Sequence, residues 1–147
     1  MYKTSDFRGN ACDPRMFSNS RGQRLFEDIR NSLPAALKKA GIPANVEVDE
    51  AKSGGMFGSK VPLLVIKYPN PPTQFFYIGI MVNDNVVSFP LLGESVQNTK
   101  MNKKADLEKQ GSFLRAAMVK PDELILQQEH AWQAAVIKTF ESLIITE

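Results

Sequence analysis

The sequence predicts an α+β domain: an N-terminal helix, an antiparallel meander sheet of three to four strands, and two C-terminal helices. Two observations predict it. Before residue 41 and after residue 102, apolar residues recur every three to four positions, as one face of a helix requires. Between residues 46 and 92 they alternate or run continuously between turn residues, which is typical of strands. Helices placed before and after a block of strands indicate an α+β rather than an alternating α/β fold.

The first helix is predicted over about residues 21–41, after an irregular arm. Its apolar face is formed by Phe26, Ile29, Leu33 and Leu37. Gly41 suits the position just past the last turn, and Pro34 predicts either a kink or the start of a second short helix. Residues 1–20 show no apolar period. The predicted organisation is therefore an irregular arm over 1–20 and a single domain over 21–147.

The strands are separated by short turn segments rich in Gly, Pro and Asn. The predicted strands are residues 46–49, 61–68, 74–82 and 86–92. Asn83, Asp84 and Asn85 form the predicted hairpin turn, because Asn and Asp tolerate left-handed backbone geometry. Pro90 predicts that the last strand ends at an edge or a bulge.

Two helices are predicted after the sheet, and the second has the stronger pattern. In the first, between Asn102 and Met118, the apolar positions are Leu107, Phe113, Leu114 and Ala117, with Gly111 weakening the helix. The second begins near Pro121 and carries one apolar stripe: Ile125, Trp132, Val136, Phe140, and Leu143 or Ile144. That stripe predicts a helix docked on the sheet.

Composition indicates a soluble globular chain. The 147 residues are 43% hydrophobic and 23% charged, with a formal net charge of +2. No apolar run is long enough to cross a membrane. The single cysteine, Cys12, cannot form an intramolecular disulfide, and no apolar signal region opens the sequence. The predicted location is cytoplasmic.

The sequence predicts neither a cofactor nor a metal site, and it offers no catalytic set. Cys12 and His130 are the only residues of their types, and nothing places them together. Glu47, Asp49 and Glu50 alternate with valines and are expected to face water. Whether the chain is an enzyme stays open, with a non-catalytic role favoured.

Basic residues concentrate in two segments. Residues 1–24 hold five basic against two acidic residues, and residues 100–120 hold six against two. The order of helix, three strands and helix resembles that of double-stranded-RNA-binding domains, but the extended basic run and the alanine-rich helix face of those domains are missing. RNA binding through these segments is a third, less favoured function.

The most informative feature is a sheet whose second face is also apolar. Leu64, Ile66, Ile78 and Ile80 define one face, and alternation places Leu63, Val65, Phe75, Tyr77 and Met81 on the other. These last five are the candidate binding residues. What covers them is predicted to be the chain's own helix, a second copy in a homodimer, a partner protein or an apolar ligand.

The favoured function is a protein-interaction or self-associating module that uses this apolar sheet face. The alternative is a small-ligand-binding protein or an enzyme, with a pocket between the sheet and the C-terminal helices. An exposed apolar plate or a second chain would favour the first, and a concave pocket with two or more convergent polar groups the second.

Overall fold

The computed structural model describes residues 2–3, 7–10, 15–16, 22–52, 59–69, 76–83, 86–93 and 95–144. Within these ranges the chain is an α+β fold, as predicted. The helices are α1 (Gly22–Lys39), α2 (Val96–Lys109), α3 (Phe113–Met118) and α4 (Glu123–Ile144). The strands are β1 (Tyr2–Lys3), β2 (Phe7–Asn10), β3 (Arg15–Met16), β4 (Asn45–Lys52), β5 (Lys60–Lys67), β6 (Tyr77–Asn83), β7 (Val86–Ser88) and β8 (Pro90–Leu92).

Two details differ from the prediction. The described residues of the N-terminal arm form β1, β2 and β3, where an irregular segment was expected. The predicted helix between residues 102 and 118 begins earlier and is divided into α2 and α3. Gly111, with φ +76°, lies between them. Because this left-handed conformation is strained for other residues, the glycine ends α2 and redirects the chain.

The sheet is a meander whose two edges are occupied by the arm. Over the described residues the strands follow the order β1-β4-β5-β6-β7-β3, and β8 pairs with both β6 and β2. The meander of β4, β5, β6 and β7–β8 is antiparallel, as predicted. The exception is β1, which pairs with β4 in parallel and makes the sheet mixed.

Helices α1 and α4 cover the first sheet face, defined by Leu64, Ile66, Ile78 and Ile80. The buried residues that pack against it from the helices are Phe26, Ile29, Leu33 and Leu37 of α1, and Trp132, Val136 and Phe140 of α4. Both predicted apolar stripes are therefore confirmed. Phe140 meets Phe89 edge to face at 5.1 Å between ring centroids. Pro34 lies inside α1, which stays one helix.

The sheet must be curved, because two neighbouring strands of the arm pair with its opposite edges. β1 lies beside β4 at one edge, whereas β2 lies beside β8 at the other. On a flat sheet, five strand spacings would separate them by about 24 Å. The four Cα steps from Lys3 to Phe7 reach at most about 14 Å. The two edges therefore bend toward each other. Tyr2 and Phe7 pack against the same buried cluster, so the concave side is the second sheet face.

A glycine makes room inside this curl. Gly79 lies on the second sheet face, and a Cβ atom there would stand 3.0 Å from both Leu63 Cδ1 and Pro90 Cγ. These distances are shorter than ordinary carbon contacts, so a side chain at this position would push the strands apart.

Candidate functional site

The second sheet face is covered by the chain's own arm. Of the five candidate residues, Leu63 and Val65 are completely buried, and Tyr77 and Met81 are half-buried. Phe75 lies outside the described residues. Leu63 and Val65 form a cluster with Ala51 and Leu92, and Tyr2 and Phe7 of the arm pack against it. The exposed plate expected for a face without a helix is therefore absent from the described part of this face, because β1 and β2 close over it.

Tyr77 is engaged at the rim of the same face. Its ring lies against Gly93, whose Cβ position would be 3.3 Å from Tyr77 Cε2. Lys67 Nζ stands 5.0 Å from the centre of the ring and 3.1 Å from Glu47 Oε2. The hydrogen bond from Lys67 to Glu47 raises the pKa of the lysine, so the cation over the ring is retained. These contacts stabilise the curl.

The other titratable candidates do not assemble into a catalytic set within the described chain. His130 is exposed on α4, and Cys12 lies outside the described residues. Glu47 and Glu50 are exposed on β4, as expected for a face that meets water, whereas Asp49 between them is half-buried. Among the described residues, no three His, Cys, Asp or Glu side chains are grouped closely enough to hold a metal ion.

The surface that the sequence did not single out is the outer side of α3. Phe113 is 68% exposed, Leu114 87% and Met118 82%. We call these three residues the α3 ridge. Leu114 and Met118 are one helical turn apart and therefore share a face. Leu124, in the first turn of α4, is also 65% exposed. A succession of large apolar side chains this exposed is unusual for a surface that meets only water.

The ridge corrects the predicted stripe of this segment. Of the four apolar positions that define the predicted helix, Leu107 is half-buried, and Phe113, Leu114 and Ala117 are exposed. Ala116 is instead the buried residue of α3. The reason is the break at Gly111, because a separate α3 can take an orientation that a continuous helix could not. The small Ala116 side chain then faces inward and the large ones outward.

α2 is a polar helix that adds nothing to the core. None of its residues is buried. Its beginning is nevertheless tied to α4 by two side-chain hydrogen bonds. Ser95 Oγ donates to Glu129 Oε2 at 2.6 Å, and Asp122 N donates to Gln97 Oε1 at 2.6 Å. Ser95 Oγ also accepts from Asn98 N at 3.3 Å and so caps α2. These bonds position α2, and with it the neighbouring α3.

The carboxylate in this anchor is buried. Glu129 is 2% exposed, and Ser95 is completely buried beside it. Burial raises the pKa of Glu129, while the hydrogen bond from Ser95 and the nearby His130 lower it, and burial prevails. A buried acid held by a single hydroxyl is costly unless its partner stays in place. The Ser95–Glu129 bond therefore specifies where α2 meets α4.

Positive charge is concentrated in the segment of the chain that contains the α3 ridge. The basic residues of α2, α3 and the segment that follows are Lys100, Lys103, Lys104, Lys109, Arg115 and Lys120. Across the described residues, none of these six cations forms an ion pair with a carboxylate. The other basic segment, residues 1–24, lies mostly outside the described residues, so a joint basic patch stays a prediction.

A shallow groove lies between the end of the sheet and α4. Its volume is about 400 Å³, and its lining is Gly41, Ile42, Pro43, Tyr68, Gln128, Ala131, Trp132 and Ala135. Trp132 Nε1 donates to Pro43 O at 2.9 Å, and the Trp132 and Tyr68 rings meet edge to face at 5.7 Å. The groove is mainly apolar, and the polar side chains in its lining include Gln128 and Tyr68. It therefore fits a small apolar ligand better than a reaction site.

Two findings complete the description of the site. No helix in the described ranges is long and apolar enough to cross a membrane. Comparisons of the chain with protein-family models, with curated proteins and with solved structures find no match.

Proposed function

We propose that this protein is a non-catalytic interaction module that binds another protein through the α3 ridge. The observation that carries the proposal is the exposure of Phe113, Leu114 and Met118 on a helix that follows α2, whose own beginning is hydrogen-bonded to Asp122 and Glu129. Aromatic residues and methionine are enriched in protein interfaces, where aromatic anchors often carry much of the binding energy. Burying a Leu or Phe side chain contributes about 1.5–3 kcal/mol.

The proposed function is the one expected from the sequence, but the binding surface is the α3 ridge instead of the second sheet face. Leu63 and Val65 are buried beneath the arm, so a partner reaches them only after β1 and β2 leave. The α3 ridge needs no rearrangement before binding. A partner that meets a ready surface avoids the free energy of opening one.

The test is site-specific photo-crosslinking in cells that normally make the protein. A benzophenone analogue of phenylalanine replaces Phe113, and the matched control carries it at Val48, which is 51% exposed on β4. We expect a discrete adduct from position 113 and none from position 48. An adduct of twice the chain mass would identify a second copy as the partner. Equal labelling from both positions, or none from position 113, would contradict the proposal.

The groove beside Trp132 supports a second candidate function, the binding of a small apolar ligand. Its volume of about 400 Å³ lies within the usual range for ligand sites. Trp132 is the only tryptophan in the chain and lines the groove, so its fluorescence reports on occupancy. A fragment screen read by that fluorescence tests the candidate. Binding that Ala131→Leu abolishes would support it, and a screen without such a fragment would contradict it.

A further inference from the structure

The surroundings of the α3 ridge restrict the chemistry of its partner. Arg115 follows Leu114 directly and lies one turn before Met118, so a guanidinium group stands among the apolar side chains. Lys109 and Lys120 flank α3 in the sequence, and both are exposed. An apolar centre that includes arginine, with charged residues around it, is the composition of a protein interface.

The local charge is positive: residues 100–120 carry a net charge of +4, which Asp122 and Glu123 at the beginning of α4 reduce to +2. Asp106 and Glu108 are the acidic residues of α2, and they offset two of the six cations between residues 100 and 120. These six cations have no carboxylate partner among the described residues, so their field extends into solvent. Such a field attracts a negatively charged surface and repels a positive one.

We propose that the partner of the α3 ridge is an acidic protein segment, which packs apolar side chains against Leu114 and Met118 and presents a carboxylate to Arg115. This inference rests on the proposed function. The arginine side chain matches a carboxylate with two parallel hydrogen bonds, and the surrounding lysines act as point charges that favour an acidic rim. Charge complementarity therefore selects the partner, and the apolar contacts hold it.

Two other anionic partners fit the ridge less well. Single-stranded RNA is bound largely through aromatic stacking, but Leu114 and Met118 provide no aromatic face and Phe113 is the single aromatic residue of α3. Double-stranded RNA is bound mainly through its phosphates and 2′-hydroxyl groups, which give the exposed apolar side chains of the ridge no partner. A membrane surface is bound by helices with a long apolar face, often of about 20–30 residues. α3 has six residues, and α2 beside it has no apolar stripe. A protein socket of limited size suits three neighbouring side chains.

The experiment selects ligands without assuming their charge. A phage library of random peptides, about 16 residues long so that a helix of about four turns can form, is panned on the full chain. Clones are then counter-selected on the double variant Leu114→Glu/Met118→Glu. Val48→Glu is the control for a charge introduced at another exposed apolar position. We expect ridge-dependent peptides with net negative charge and apolar residues at i and i+4 spacing.

The selected peptide then tests Arg115. Fluorescence anisotropy should show that Arg115→Glu weakens binding by about tenfold or more and Arg115→Lys by less, since lysine keeps the charge and loses the paired hydrogen bonds. Raising the salt from about 50 to about 500 mM should weaken binding severalfold. All substituted positions are exposed, so circular dichroism and the thermal midpoint should be unchanged.

The outcomes separate the inference from the function on which it rests. Ridge-dependent peptides that are neutral or basic would overturn the acidic partner and leave the interaction module standing. The absence of any ridge-dependent peptide, together with the absence of crosslinking from position 113, would overturn both. Ridge-dependent binding to phosphatidylglycerol-containing vesicles or to a double-stranded RNA, in place of peptides, would assign the ridge to another class of partner.

Discussion

Two groups of apolar side chains lie outside the main core, and they differ in what covers them. Leu63 and Val65 on the second sheet face are completely buried, whereas Leu114 and Met118 on the α3 ridge are more than four-fifths exposed. The first group is enclosed because the sheet curls and the arm closes over it. The second stays open because Gly111 separates α3 from α2 and turns its large side chains outward. Apolar character alone therefore does not show which surface the fold encloses and which it leaves exposed.

The largest expected loss in the free energy of unfolding comes from a residue of the main core. Trp132→Ala removes a buried indole that packs on the sheet and donates to Pro43 O. We expect the free energy of unfolding to fall by about 3–5 kcal/mol, because the cavity is only partly refilled. Urea unfolding followed by far-ultraviolet circular dichroism measures the change. A loss below about 1 kcal/mol, the range of surface substitutions and small core changes, would contradict the docking of α4.

The same substitution in the two apolar groups provides the sharpest contrast. Leu63→Ala removes a completely buried side chain from the second sheet face. We expect a loss of about 2–4 kcal/mol in the free energy of unfolding. If Leu63→Ala is instead as mild as a surface substitution, the arm does not enclose this face in solution.

A double-mutant cycle tests directly whether the arm packs against the second sheet face. Phe7 of β2 packs against the cluster that contains Leu63. The effects of Phe7→Ala and Leu63→Ala should therefore be non-additive, with an interaction energy of about 0.5–1.5 kcal/mol. Phe7→Ala combined with Ile29→Ala is the control and should be additive, because Ile29 belongs to α1 and packs against the first sheet face. Additivity in both cycles would place Phe7 away from the second face.

The anchor between α2 and α4 predicts a dependence on pH. The pKa of Glu129 is raised above its ordinary value of 4.5, mainly by burial. Its contribution to folding is therefore complete below about the ordinary value and is lost as the pH rises through the folded-state pKa. Glu129→Gln should flatten this decline, and Glu108→Gln on the surface of α2 should not. Urea unfolding between about pH 4 and pH 8 tests this, and equal slopes for wild type and Glu129→Gln would contradict it.

The smallest expected effect on stability belongs to the ridge. Leu114→Ala should change the free energy of unfolding by no more than about 0.5 kcal/mol, because the side chain is 87% exposed. The same variant should weaken binding of a ridge-dependent peptide, which anisotropy measures. A destabilisation comparable to that of Leu63→Ala would mean that the ridge is buried in solution and would remove the basis of the proposed function.

Strong periodicity made the core of the first sheet face predictable. The stripes of α1 and α4 each repeat over several turns, and Leu33, Leu37 and Phe140 are completely or almost completely buried as expected. The two-sided character of β5 and β6 was also predictable, because consecutive apolar residues in a strand must face both ways. These inferences need only local spacing.

The cover of the second face and the exposure of the ridge were not predictable in this way. β1 has two residues and β2 has four, too few to show a period, and their pairing with β4 and β8 is set by distant parts of the chain. In α3, Phe113 and Leu114 continue the helical spacing that begins at Leu107, and the same spacing is found in helices whose apolar face is buried. Periodicity predicts that one face of an element is apolar, but it does not predict which other part of the protein packs against that face. Gly111 was the available signal, since a glycine can divide one helix into two orientations.

The position of the arm has a consequence for aggregation. A sheet edge presents backbone N–H and C=O groups that can pair with the edge of another molecule. In the described chain, β1 occupies the edge of β4, while β2 and β3 occupy the edge formed by β8 and β7. The arm therefore protects both edges of the central meander at once. Loss of its first ten residues would expose the β4 and β8 edges, open a route to strand-to-strand polymerisation, and leave the α3 ridge unchanged.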